Sequence, residues 1–312
     1  MQARSWKYRP NTIQIEAVQG CNRRCSFCGT AGMEKAIHKA DIKTIYHTCE
    51  LIKAAELNSR ILLAGHGEPT LHPEIVQIVK AIRTMLPHNM IHMFTNGTVI
   101  AKKPELTEEL FKAGLNDLIF DEYTDSRVGK FVRADPICRK YEIVELKPGV
   151  PLFADKKTTQ HRICITPPIN IDEKNATRKI INHCGAGRPP LKTPLEKKCG
   201  TIFRDFFIRW DGNIAICCND FRGEYPVTNI LKHKSFEDAY FHPRLEAARR
   251  ILMQADRSFE PCSKCDALPL RVGLLPDPRG PKYLPEPTEA DRKLVREKHR
   301  PLAKIELRPW EE

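Results

Sequence analysis

The sequence predicts an α/β fold, a parallel sheet joined by crossover helices, with a smaller second unit behind it. Three observations lead there. Apolar runs of strand length alternate with helix-period stretches between Thr12 and Ile165, the pattern of strand–helix–strand crossovers. The runs end in loops bearing cysteine, glycine, asparagine and acidic residues, and open α/β sheets and barrels keep their ligands at those carboxyl ends. Beyond Ile180 the text changes to a glycine- and proline-bearing loop followed by a second set of cysteines, which marks a boundary.

Taken in order, Thr12 to Val18 alternates like a strand and runs into Cys21. A helix from Asp41 to Leu57 follows, with Ile42, Ile45, Cys49 and Ile52 on one stripe; Cys49 on that stripe reads as core. Arg60 to Ala64 is a short apolar strand, and the helix behind it carries Ile75, Val79 and Ile82 on one side. Met90 to Phe94, Asp117 to Phe120, Tyr141 to Leu146 and His161 to Ile165 complete about six strands, with a helix from Pro104 to Ala113 among them. Phe206 to Ile216 reads as a hairpin turning at Asp211-Gly212, which would bring Cys199 and Cys217 together from neighbouring strands. Ser235 to Met253 reads as helix, with Ser235 and Asp238 as a capping pair. Pro243 splits it in two, and Arg244, Arg249 and Arg250 read as a solvated face. Residues 266–312 hold 8 prolines at a net charge near zero, the composition of a tail wrapped on the body, with a short helix after Pro287-Thr288.

Composition sets the outer bounds. At 312 residues and 41% apolar content the chain has room for one large core and a small one. It contains no run of eighteen apolar residues, and Met1 to Lys7 has no signal character, so a soluble, cytoplasmic protein with no membrane partner is expected. Twelve cysteines, some at clustered C-x-x-C spacings while Cys49, Cys138 and Cys164 stand alone, point, in a chain without a secretion signal, to metal rather than disulfides. The net charge of +12 is uneven, with 16 Lys and Arg against 7 acids over residues 126–200 and 7 against 11 over residues 46–125. Such an excess attracts phosphate or an acidic peptide, and a well-solvated surface gives the same count.

Chemistry concentrates at Cys21-Asn22-Arg23-Arg24-Cys25-Ser26-Phe27-Cys28. Three thiols without a fourth is the informative feature. A structural zinc site closes itself with four protein ligands, whereas a cluster iron lacking a protein ligand can bind a reactant. A zinc knuckle or a redox thiol group remains the competing reading. Gly65-His66-Gly67-Glu68-Pro69 follows the second strand and Thr95-Asn96-Gly97-Thr98 the third. Asp121-Glu122-Tyr123-Thr124-Asp125 follows the fourth.

Together these motifs resemble the radical S-adenosylmethionine (SAM) superfamily, whose signature is C-x3-C-x2-C with an aromatic before the third Cys, here Phe27. The resemblance implies a partial (β/α)6 TIM-type barrel with SAM inside it. Cys21, Cys25 and Cys28 would hold a 4Fe-4S cluster whose fourth iron is chelated by SAM. Gly65, Gly67 and Glu68 would meet the methionyl amine, Thr95 and Asn96 the ribose or methionine part, and Asp121 and Glu122 the cofactor or substrate. His66 interrupts the commoner Gly-Gly form, and its role stays open.

The second set, Cys199, Cys217, Cys262 and Cys265, fits the pattern C-x(9-15)-G-x4-C followed by C-x-x-C, and resembles the SPASM and twitch extensions of the same superfamily. No Cys follows Cys265. The one-cluster twitch form is therefore implied, a small α+β domain in which those four thiols ligate an auxiliary 4Fe-4S cluster. Cys218 is an alternative to Cys217, and zinc an alternative to iron. The resulting division is a barrel over 1–188, a twitch domain over 189–265 and a tail over 266–312.

The implied activity is reduction of SAM, by an electron donor such as flavodoxin or ferredoxin, to a 5'-deoxyadenosyl radical. That radical takes a hydrogen atom from a substrate carbon, and oxidation or rearrangement follows. The basic second half favours a nucleotide or modified DNA base as substrate. A peptide or a small metabolite undergoing dehydrogenation is the alternative. A cluster loop that begins at Cys21 leaves no preceding peptide-binding domain, which weighs against leader-dependent peptide modification. His183, Cys184 and Arg188 could face the substrate, with Cys184 returning a hydrogen atom; an inert loop thiol reads the same way. A zinc-bearing nucleic-acid binder without catalysis is the reading from a different class.

Overall fold

The computed structural model describes residues 8–33, 35–123, 127–147, 161–169, 181–268 and 284–297. Expectations at Thr124, Asp125, Pro148 and Gly149, and over most of the tail, fall outside them. In chain order the strands are β1 Thr12–Ile15, β2 Val18–Gln19, β3 His38–Lys39, β4 Arg60–Leu63, β5 Ile91–Thr95 and β6 Asp117–Phe120. They continue as β7 Glu142–Glu145, β8 Arg162–Ile165, β9 Asp205–Ile208, β10 Asn213–Ala215 and β11 Pro226–Asn229. The helices are α1 Ile42–Ala54, α2 Ile75–Met85, α3 Glu105–Lys112, α4 Val128–Ala134, α5 Thr201–Arg204, α6 Phe236–Tyr240, α7 Pro243–Met253 and α8 Glu289–Arg296.

One nine-stranded sheet runs β11-β10-β9-β1-β4-β5-β6-β8-β7. Pairing is parallel from β9 across to β7 and antiparallel only where β10 meets β9 and β11. The strands read as near-continuous apolar runs because both faces are covered, as parallel sheets require; Ile13, Ile61, Leu63, Ile91, Met93 and Leu118 are all shielded from solvent. The stripe predicted for the first helix is in place, with Ile45, Cys49 and Ile52 fully buried. Asp41 starts that helix by accepting from the Lys43 N–H at 2.8 Å, a side-chain cap on an orphan donor.

At the amino-terminal ends of the strands, Asp117 accepts from Arg162 Nε at 3.0 Å and lies 2.8 Å from His92 Nδ1. Burial alone would push this carboxyl up, but His92 and Arg162 outweigh it and hold it below its usual range. Charges at the closed end of a barrel serve stability.

Four features differ from the sequence expectation. The first strand stops at Ile15, and a separate short strand takes up Val18–Gln19 beyond the fully buried Glu16. The second unit is joined to the barrel through the sheet itself: Thr12–Ile15 pairs in parallel register with Asp205–Ile208. Strand β8 lies between β6 and β7, so the last two barrel strands exchange places. The face predicted to be solvated is not: Arg244 and Arg249 are 0% exposed. The two guanidinium groups feed main-chain carbonyls instead, Arg244 those of Pro226 and Glu297 and Arg249 those of Tyr240 and Ile202. Only Arg250 stays near the surface, paired with Asp291. Asp291 caps α8 together with Thr288, the helix expected after Pro287-Thr288.

Candidate active site

Cys21, Cys25 and Cys28 sit on the loop that follows β2, all half-exposed and none in a disulfide. The Arg23 N–H and the Asn96 amide donate to Cys21 Sγ at 3.3 and 3.4 Å. Cys28 Sγ lies 3.2 Å from Thr30 Oγ1. Burial pushes both thiols up, aided at Cys21 by the Glu68 carboxylate and at Cys28 by Cys25 and Asp121, with the donors pulling the other way.

The Gly65–Pro69 turn is stitched to this loop through main chain. Gly20 N donates to His66 O at 2.9 Å and Glu68 N to Gly20 O at 3.0 Å. At Gly67 a Cβ would stand 2.3 Å from Val18 O, so no side chain fits there. Glu68 is buried and joins the second turn to the third. Its Oε1 accepts from Thr70 N, Thr70 Oγ1 and Thr95 Oγ1 at 3.1, 2.6 and 2.8 Å, and its Oε2 from Asn96 N at 2.7 Å. Asn96 closes the circuit by donating to Asn22 Oδ1 at 2.9 Å.

Burial raises the Glu68 carboxyl despite four donors that favour its charge. In Glu68→Gln one of the two oxygens becomes an amide nitrogen facing donors. That variant is expected to lose about 1–3 kcal/mol, read as a lower urea midpoint at unchanged slope.

The acidic strand end divides. Asp121 lies on the cysteine side, where its charge is felt by Cys28. Glu122 turns toward α4, where its carboxylate packs on Gly129 and lies 3.9 Å from Arg133. Tyr123 joins Asp121 on the cysteine side: its ring stacks on Phe27 at 6.0 Å and carries the Arg23 guanidinium 4.7 Å above it.

The second set gathers more thiols than the four expected. Cys199 lies on the loop before α5 rather than on a strand, and Cys217 just after β10. The free thiols of Cys184 and Cys265 lie within hydrogen-bonding reach of each other, as do those of Cys217 and Cys218, and Cys199 is a near neighbour of both Cys217 and Cys262. The Cys184 S–H and the Ala267 N–H hold the Cys265 thiol down to about 7, while Cys184 itself is pushed up. His183 and Cys184 both adopt left-handed backbone, at φ 49° and 53°, which costs a residue with a side chain about 1–2 kcal/mol. Neighbouring bonds hold them there. Asn182 accepts from Asp266 N at 3.2 Å and donates to Lys264 O at 2.7 Å. Arg257 staples both flanks of the set, donating to Lys197 O at 2.8 Å and Ala267 O at 2.9 Å.

Beside the first loop opens a cleft of about 350 Å³ lined by Cys21, Arg23, Arg24, Lys35, His38 and Arg222 among others, with no carboxylate among its described lining residues.

A family model for the radical SAM superfamily matches residues 15–180, more than half of the chain, and one for an iron-sulfur cluster-binding SPASM domain matches residues 199–266. The chain belongs to the radical SAM superfamily. It is a radical SAM enzyme with a carboxyl-terminal SPASM or twitch domain, which sets aside the zinc-bearing binder. Curated relatives include a GTP 3',8-cyclase of Trichodesmium erythraeum, 32% identical over 33% of this chain and 31% of that protein. A probable GTP 3',8-cyclase of Thermoplasma volcanium is 35% identical over 36% of this chain and 34% of its own. The chain thus spans about a third of the length of these relatives. Among solved structures, BtrN in complex with AdoMet and 2-DOIA superposes with a TM-score of 0.63 at 17% identity, over 83% of this chain and 94% of that one, a likeness of fold.

The donor chemistry of this radical SAM chain fits iron-sulfur clusters, which are held by cysteine thiolates. Among the described residues no three Cys, His, Asp or Glu side chains form a group that could hold a single metal ion. A cluster asks instead for thiols set around a larger body. No helix among the described residues is long and apolar enough to cross a membrane. Tyr123, Arg257, Asn182 and Glu16 complete the two sites and carry no spacing signal; only the position of Tyr123 at a strand end was visible beforehand.

Proposed function

We propose that this radical SAM enzyme cleaves SAM reductively to a 5'-deoxyadenosyl radical, takes a hydrogen atom from a carbon of a nucleotide substrate, and completes the reaction by oxidation or rearrangement. The observation that carries the substrate class is the cleft beside Cys21, lined by Arg23, Arg24, Lys35, His38 and Arg222. Four permanent cations among these, Arg23, Arg24, Lys35 and Arg222, grouped next to a radical source suit a phosphate-bearing substrate. The relatives named for GTP cyclisation support the same class.

When bound, a 4Fe-4S cluster on Cys21, Cys25 and Cys28 supplies the electron that cleaves SAM, received from a donor of flavodoxin or ferredoxin type. The chain's own residues then orient and exclude. Gly65 and Gly67 let backbone approach the cofactor, Thr95 and Asn96 line its side of the loop, and Asp121 faces Cys28. Glu122, held by Arg133, sets the direction of that strand end. Cys199, Cys217, Cys262 and Cys265 hold the auxiliary 4Fe-4S cluster, and Cys184, engaged with Cys265, is assigned to that set. The division into barrel, twitch domain and tail at residues 188 and 265 belongs to the same reading.

Anaerobically reconstituted protein, given SAM, a low-potential reductant and deuterated nucleotides, is expected to place deuterium in 5'-deoxyadenosine. Lys35→Ala combined with Arg222→Ala should raise KM for the nucleotide about tenfold with little change in kcat, as loss of uniform binding does. Label arriving from a peptide or an uncharged metabolite, and from no nucleotide, overturns the substrate class.

A further inference from the structure

His66 occupies the position inside the Gly65–Pro69 turn where only backbone is needed to approach a cofactor. Its side chain instead reaches across to the second cysteine set. Nε2 lies 2.7 Å from the carbonyl oxygen of Cys218, and since a carbonyl only accepts, Nε2 carries the proton. On the other edge of the ring, Nδ1 is 3.2 Å from Arg209 Nη1 and 3.1 Å from Glu16 Oε1. Arg209 in turn donates to Asp220 O at 3.1 Å. Glu16 accepts from His66 N at 2.8 Å and Trp210 N at 3.2 Å. His66, Glu16 and Arg209 are 1%, 0% and 5% exposed.

The ring is thus fixed from three sides without solvent. Its main chain is fixed as well, to Gly20, the residue before Cys21. One residue therefore touches the neighbour of a cysteine in each set. A second contact runs beside it. Phe221 lies 4.1 Å from the His66 ring and 4.3 Å from His183, and packs on Gly29, where a Cβ would stand 2.5 Å from the ring. Gly29 follows Cys28, and His183 precedes Cys184.

We propose that His66 is a positioning residue that holds the auxiliary cysteine loop in register with the SAM-side loop, so that the two cluster sites keep one fixed relation. This rests on the reading that both sets carry clusters. A histidine that only filled space would need no donor toward Cys218. One that acts as a strut needs the Nε2–H, and a residue of similar reach with an N–H should replace it. Glutamine supplies that N–H; leucine fills the volume without it.

The test uses the reconstituted full chain as wild type, His66→Gln and His66→Leu, with iron content, a redox titration of each cluster and the electron paramagnetic resonance spectrum of the reduced protein. Wild type should contain about eight irons and show line broadening from two nearby paramagnets. His66→Leu should keep its iron yet change the reduced-to-oxidised ratio of the auxiliary cluster at a fixed poise about fivefold, the factor of one net hydrogen bond, and alter the broadening. His66→Gln should restore both. A leucine variant that matches wild type, or a glutamine variant no better than leucine, overturns the proposal. Loss of iron in leucine but not in glutamine also supports the strut, since the auxiliary loop then fails to assemble without it. Absence of a second cluster in wild type is a separate failure, of the two-cluster reading, and is seen before any variant is made.

Discussion

Cys25→Ala is expected to remove about four of about eight iron atoms per chain and to reduce 5'-deoxyadenosine formation more than about 10³-fold. Cys25 is the middle thiol of a loop with three, and no fourth protein ligand is supplied by its own motif. Removing one thiolate from a set that has none in reserve leaves the cluster with two, whereas the auxiliary region has Cys184 and Cys218 beside its four. The control is therefore Cys262→Ala, which should keep more of its iron than Cys25→Ala, because Cys184 or Cys218 can stand in for the lost ligand, and should leave the SAM-dependent spectral change of the first cluster intact. Iron and sulfide analysis, with chromatography of the nucleoside, reads both. Equal 5'-deoxyadenosine formation by Cys25→Ala and wild type would remove the proposed radical source. Stability should move little, because the loop is half-exposed, its anchoring bonds run through Gly20, Arg23 and Asn96, and the bond Cys25 makes, from the Cys28 N–H, ends on its main-chain carbonyl, which alanine keeps.

The barrel was legible because its strands, buried on both faces, read as short apolar runs such as Ile61–Leu63, while its helices, buried on one, repeat at helical spacing, as at Ile45–Cys49–Ile52. The three turns that gather around Cys21 were legible because close backbone approach restricts them to glycine and small polar residues. What the sequence could not give is pairing across distance. Nothing near Asp205 indicates that its strand extends the barrel sheet beside Thr12, because a parallel partner is chosen by tertiary packing and not by its own pattern. The gathering of Cys184 with Cys265 was hidden for the same reason, since Cys184 stands outside any C-x-x-C spacing and is aimed by a left-handed turn that Asn182 secures. Arg244 and Arg249 misled because the hydropathy of an arginine speaks for its charge, and their carbonyl partners lie on other elements.

Arg249→Met is expected to cost about 3–5 kcal/mol, the loss found when one member of a buried charge pair is removed. The guanidinium is wholly buried. It donates to Tyr240 O at 2.6 Å, to Ile202 O at 3.2 Å and to Glu246 Oε1 at 2.7 Å, and stands 4.1 Å over the Tyr240 ring. Burial alone would lower its pKa, but Tyr240, Tyr8 and Glu246 raise it, so the cation persists throughout the range in which the protein is handled. Tyr8 also donates to Glu246; without Arg249 that carboxylate faces only a phenol, and the Ile202 carbonyl loses its donor. Methionine fills the volume, so the deficit is electrostatic and not a cavity. Lysine cannot rescue it, because one ammonium on a flexible stem does not reach three acceptors held in a fork. The double variant Arg249→Met, Glu246→Gln should recover part of the loss, since the stranded charge is then gone. Arg250→Ala gives the contrast: its guanidinium is partly exposed, at 19% of the side chain, and among the described residues serves Asp291 alone, so that variant should cost less, about 1–3 kcal/mol. Chemical denaturation of the four proteins at one pH measures these differences. A loss in Arg249→Met no larger than in Arg250→Ala would mean that α7 is held to the sheet by its apolar face alone.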